Sequence, residues 1–217
     1  MYRAQIQLLA RAAHWPVERY GEEHFSVTPA IIRELRELSY IDQWKKARTN
    51  SWFHVELEDH SLILFSEDNK NSSFSYLHCP LAVPSFREFL AGMRLDYSIQ
   101  NRREFRDEYE YVLDTAGLRP HVTPLRFDYD EVGYDSGVHP VSHIHIGLGN
   151  QIRLGVQRRL TPISFVLFVM RHMYPDCWRR IMLHHEARRL PKSVRFDCPV
   201  VAEQYWQSND GVELHLV

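Results

Sequence analysis

The sequence predicts an α+β protein in which an antiparallel sheet of about five to six strands packs against helices. Three observations carry this expectation. Strand-like and helical stretches are clustered along the chain and do not alternate as βαβ units. Two central runs, 122–129 and 141–146, alternate side-chain character with a period of two, as half-buried strands do. The pairs Thr28-Pro29 and Thr161-Pro162 each announce a helix, a capping hydroxyl followed by the residue best suited to the first helical turn. The chain reads as one domain over 1–217, with a helical part at 1–50 and a sheet-containing core with C-terminal helices at 51–217.

In order along the chain, Arg3–His14 places Ile6, Leu9, Ala10 and Ala13 on one helical face and stops before Pro16. The helix opened by Thr28-Pro29 runs through Ile31, Ile32, Leu35 and Leu38. Trp52–Leu57 and Leu62–Phe65 are strand-like around a turn at Glu58-Asp59-His60. Asp68–Ser73 reads as a polar loop before a strand at Phe74–His78, and Pro84–Met93 as a short helix. Gln100–Thr115 reads as one charged helix ending near Gly117. Strands follow at Val122–Tyr129, Val141–Ile146 and Gln151–Val156. A very apolar helix spans Ile163–Met173, a basic one Cys177–Arg189, and Val212–Leu216 is a candidate last strand.

With 217 residues, 44% hydrophobic and 12% aromatic, the chain is rich enough in core formers to exclude intrinsic disorder. No apolar run approaches the ~20 residues of a membrane helix. Met1–Trp15 carries arginines and glutamines within a helical pattern, which speaks against a signal peptide. Cys79, Cys177 and Cys198 are odd in number and widely spaced, so reduced thiols and a cytoplasmic setting are expected.

The net charge of −2 hides a separation along the chain. Residues 1–149 hold 16 Lys/Arg against 22 Asp/Glu, whereas residues 150–195 hold ten basic residues against Asp176 and Glu186. Nine of those ten are arginine, whose planar fork suits phosphate. Arg158, Arg159, Arg179, Arg180, Arg188 and Arg189 are therefore candidate nucleic-acid-binding residues. The alternative is that they pair within the fold or solvate helix faces.

The most informative segment is His139-Pro140-Val141-Ser142-His143-Ile144-His145-Ile146-Gly147. On a strand His143 and His145 project to one side and Ile144 and Ile146 to the other, so the isoleucines face the core and the imidazoles an accessible surface. The same parity puts Arg126 and Asp128 opposite Leu125, Phe127 and Tyr129. A three-residue loop at Leu148–Asn150 would set Ile146 against Ile152 and His145 against Arg153, whereas a two-residue loop would bring Arg153 onto the apolar face. The longer loop is expected. His121 and His139, each beside a proline, could close over the polar face.

Two imidazoles and a carboxylate can bind a divalent metal and leave positions open, so His143, His145 and Asp128 are candidate ligands. Alternatively, the two histidines act as general acid and base while Arg126 and Arg153 hold a phosphate, which would cleave RNA without a metal. A His-x-His pair can also merely face solvent or fill polar core positions. No glycine-rich phosphate loop is present, so no nucleotide cofactor is expected.

The pieces Asp59–Phe65, Thr123–Tyr129, His139–Gly147 and Thr161–Phe168, in that order, resemble an uncharacterised bacterial family known only as a domain of unknown function. That resemblance implies a bacterial cytosolic protein and no particular activity. More loosely, Arg126-Phe127-Asp128 followed by His139-Pro140 and the His-x-His is similar to the core of TumE-like toxins of toxin–antitoxin pairs. It implies an attack on RNA by Arg126, Asp128, His139, His143 and His145. The expectation is a nuclease, most simply a ribonuclease, in phage defence or a toxin–antitoxin system, with RNA and a protein encoded nearby as partners. Two other classes stay open: a non-catalytic module that binds nucleic acid or protein, and a metal-dependent hydrolase or oxygenase.

Overall fold

Among the described residues seven strands form a single antiparallel sheet in which every strand pairs with its neighbours in sequence: β1 (Val17–Tyr20), β2 (Val55–Leu57), β3 (Leu62–Glu67), β4 (Asn71–Leu77), β5 (Leu125–Asp130), β6 (Ser142–Ile146) and β7 (Ile152–Gly155). The computed structural model describes residues 2–15, 17–22, 25–68, 70–149 and 152–212. Around the sheet lie α1 (Tyr2–Ala13), α2 (Pro29–Arg36), α3 (Tyr40–Thr49), α4 (Phe86–Gly92), α5 (Ile99–Glu104), α6 (Arg106–Thr115), α7 (Pro162–Met173), α8 (Pro175–Leu183) and α9 (Leu190–Asp197). No helix of the described residues is long and apolar enough to cross a membrane.

The class is as expected, with more strands. The addition is β1, Val-Glu-Arg-Tyr, which has no strand signature of its own; it pairs Val17 with Leu57 and Tyr20 with Val55, and Arg19 ion-pairs with Glu56. The expected last strand falls almost wholly at 213–217, outside the described residues. Three segments differ in their bounds. β4 begins at Asn71 because Asp68 Oδ1 accepts from the Lys70 and Asn71 amides, a tight turn that lets Ser72 and Ser73 pair with Glu67 and Ser66. The expected helix over 100–115 is broken at Phe105, whose ψ of 17° leaves the helical range. The basic helix stops at His184, whose extended backbone leads to a 3-10 turn at Ala187–Arg189 and to α9.

The helix starts hold. Thr28 and Thr161 accept from the amides of Ile31 and Ser164, each with proline at the helix start. α7 buries Ile163, Phe165, Val166, Leu167, Val169 and Met170, which explains its near-continuous apolar run.

Strand alternation divides the sheet into two unlike faces. On one, Ile63, Phe65, Phe74, Phe127 and Ile144 pack with α1, α7 and α8; Phe74 stacks on Phe127 at 5.5 Å and meets Phe165 at 5.9 Å. On the other, Leu62 and Leu64 pack with Trp44, Phe86, Tyr109 and Leu113 from α3, α4 and α6. Beyond β3 the second face turns polar. Two cross-strand rows occupy it, Ser75–Arg126–His145–Arg153 and Ser73–Asp128–His143–Gly155. The apolar helical cover ends where the serines begin.

Candidate functional site: an Asp–His–His cluster on the floor of a cleft

The polar half of the second face is the floor of a cleft of about 1110 Å3 whose opposite wall is α2. The register that builds it is the one the three-residue loop demands: Ile146 pairs with Ile152 and His145 with Arg153, although Asn150 and Gln151 themselves lie outside the described residues. A slip of one residue would have brought Arg153 onto the apolar face.

Asp128 is the anchor. Its Oδ1 accepts from the Ser73 hydroxyl and its Oδ2 from Arg126 Nε, each at 2.7 Å. His145 Nε2 lies 3.3 Å and His143 Nε2 3.9 Å from the same Oδ2, and the two Nε2 atoms are 3.1 Å apart. His143 Nδ1 donates to the Pro140 carbonyl at 2.7 Å, which fixes the tautomer and leaves the lone pair on Nε2, facing the other two groups. Asp128, His143 and His145 are the one set among the described residues whose carboxylate and ring nitrogens gather, within 4.8 Å of one another, as a divalent ion requires.

Burial sets the charges. It would raise the Asp128 carboxyl, but the hydrogen bond from His145, the Arg126 charge and the Ser73 hydroxyl together hold it well below the usual carboxylate range. Burial pushes the His143 imidazole down to about 4, so it is neutral at pH 7. A charged carboxylate and a neutral imidazole with a directed lone pair are the protonation states in which metal ligands work.

The sequence placed these imidazoles on an accessible surface, and here the structure differs. His143 is 1% and His145 3% exposed, because the rings pack on one another and His139 adds a further ring 4.8 Å from His143. His139 lines the cleft, and its Nδ1 is buried without a hydrogen-bond partner. Arg126 and Arg153 line the cleft on either side of His145.

The remaining candidates lie elsewhere. His121 is exposed and does not line the cleft. Beyond Arg153, the arginine-rich segment follows the other face of the sheet, and several of its arginines are internal braces. Arg158 donates to the Cys198 carbonyl. Arg159 donates to Ser72 Oγ and the Asp68 carbonyl and lies over the Tyr129 ring, while Arg180 reaches the Ala13 carbonyl and Cys177 Sγ. Arg179 pairs with Asp176. Arg188 and Arg189 are exposed. Sequence reasoning missed Ser73, for which nothing local gives a signal, and the α2 wall, which reads only as a helix.

Fold and site together define an α+β protein with a buried Asp–His–His cluster at the base of a sheet cleft. The chain belongs to the family described as an uncharacterized conserved protein (DUF2290), whose model matches residues 9–207. No curated protein and no solved structure matches it.

Proposed function

We propose that this chain is a divalent-metal-dependent nuclease, with RNA as the substrate. The single observation behind the proposal is the convergence of the Asp128, His143 and His145 ligand atoms at the floor of an open cleft, with Arg126 and Arg153 on either side. The same geometry argues against metal-free acid–base cleavage. An acid and a base serving the two oxygens of one phosphodiester must stand on either side of it, and ring nitrogens 3.1 Å apart leave no room for a phosphate between them. A histidine pushed down to about 4 is also a poor acid at neutral pH.

In this reading Asp128, His143 and His145 hold the ion, Arg126 keeps Asp128 ionised and in place, and Arg153 meets the phosphate. A bound divalent ion supplies Lewis acidity and a water acidic enough to be a nucleophile near neutral pH.

The test is incubation of the purified protein with labelled RNA and Mn2+, Mg2+ or Zn2+. The expected result is cleavage that EDTA abolishes and that both His143→Ala and His145→Ala lose while remaining folded. Cleavage indifferent to EDTA, or retained in both variants, contradicts the proposal.

A non-catalytic partner-binding role has one observation on its side. Leu183 and Phe196 are 84% and 80% exposed on the same stretch of chain as the exposed cations Arg188, Arg189 and Lys192, apolar surface that a partner could cover. Metal-loaded protein that binds RNA without ever cleaving it would favour that role.

A further inference from the structure

The cleft has two unlike halves. Its floor presents the hydroxyl-bearing Ser66, Ser73 and Ser75 beside the Asp–His–His cluster. Its far wall is apolar, built from Val27, Ile32, Leu35 and Leu38 on α2 and its flanks. No residue of α2 is buried, and Ile32 and Leu35 are only half-covered, whereas Leu62 and Leu64 on β3 are buried. Apolar side chains lining a wet cleft beside a few convergent polar groups are the usual make-up of a ligand site. Arg36 stands on the same wall.

Building on the nuclease reading above, we infer that this wall is the subsite for an unpaired base, so that the substrate is single-stranded. A nucleotide has the same division as the cleft, a flat apolar-faced base joined through a hydroxylated sugar to an anionic phosphate. With the phosphate at Arg153, the base lies against Ile32 and Leu35 and the sugar over the serine floor, and Arg36 is placed for a neighbouring phosphate. In a duplex the base faces are stacked and the edges paired, so neither can be laid against the wall.

The test uses the full-length protein loaded with Mn2+ and three substrates: a single-stranded RNA, the same RNA as a duplex, and the small diester methyl p-nitrophenyl phosphate. The single strand should exceed the duplex in kcat/KM by about tenfold or more, the scale of one apolar group left uncovered. Leu35→Glu, and separately Ile32→Ser, should lower the ratio of oligonucleotide to small-diester kcat/KM by about tenfold, mainly through KM. Equal cleavage of duplex and single strand, or an unchanged ratio in both folded variants, overturns the inference and leaves the metal-dependent reading standing. A wild-type protein that binds the metal and cleaves none of the three substrates overturns both, through the catalytic reading and not the wall.

Discussion

Two clusters of histidine, carboxylate and arginine lie on the same face of this sheet, and they have opposite characters. Under the helices, Glu56 Oε1 accepts from Arg48 Nε and His60 Nδ1, each at 2.9 Å, and Oε2 accepts from Arg19. His60 Nε2 meets the Tyr109 hydroxyl at 2.6 Å, and that hydroxyl donates to the Pro84 carbonyl. Arg48 then forks onto Glu110 with two bonds of 2.9 Å. That cluster is closed: its donors are spent on the chain's own acceptors, and α3 and α6 cover it. In the Asp128 cluster the lone pairs of Asp128 and His143 converge on one place beside a cleft. Residue types are nearly the same in both. What separates a structural knot from a candidate active site is the direction of the lone pairs and the extent of the helical cover.

The largest effect expected from breaking this contrast is on stability in the closed half. Glu56→Ala strands Arg48, His60 and Arg19 around a position that is 1% exposed, and should lower the unfolding free energy by about 3 kcal/mol or more in denaturant titrations. Loss of a charge at Asp128 should cost less, because its cleft admits water.

Acid sharpens the contrast next. His143 in the metal-free protein, and His54 beside Phe65, are both pushed down to about 4 by burial, from an ordinary value of 6.5. The unfolded chain therefore takes up protons below pH 6.5 that the folded one refuses until about 4, and stability falls as pH drops through that window. Each histidine contributes a slope of at most about 1.4 kcal/mol per pH unit. Glu56 behaves differently: although burial works to raise it, His60 and Arg48 hold it down to about 2, so its share is present above the ordinary 4.5 and is lost only as pH falls toward 2. Denaturation of wild type and His143→Gln at pH 7.5, 6 and 5 should show a shallower decline in the variant.

A smaller effect belongs to Arg153. It lies across from His145 on the edge strand, and Arg153→Ala should weaken RNA binding by about tenfold at low salt while the metal stoichiometry holds, read by anisotropy. The smallest is Ser73→Ala, which removes one hydrogen bond from Asp128 and should cost about 1 kcal/mol of stability.

The polar face was legible because alternation is strict: His143-Ile144-His145-Ile146 permits only one assignment of faces, and Arg153 then fixes the register. The helix starts were legible because Thr28-Pro29 and Thr161-Pro162 act locally. β1 was not, since Val17–Tyr20 is a strand only through its pairing with β2 and the Arg19–Glu56 contact. The break at Phe105 was hidden inside a charged run with good helix propensity. The arginine-rich segment misleads a reading by charge alone, because Arg158, Arg159 and Arg180 bind carbonyls and side chains of distant segments, and no count of charges separates a brace from a free cation. The cleft itself was beyond reach, since it exists where α3, α4 and α6 stop covering the sheet and α2 stands off from it, and both facts belong to tertiary packing.

The most direct test is calorimetric titration of the purified protein with Mn2+ and with Zn2+. The structure leads us to expect one ion per chain, with affinity at least a hundredfold weaker in each of Asp128→Ala, His143→Ala and His145→Ala, and unchanged in His185→Ala on the exposed basic segment. A folded wild-type protein that binds no divalent ion, or the same affinity in the three cluster variants, would contradict the account.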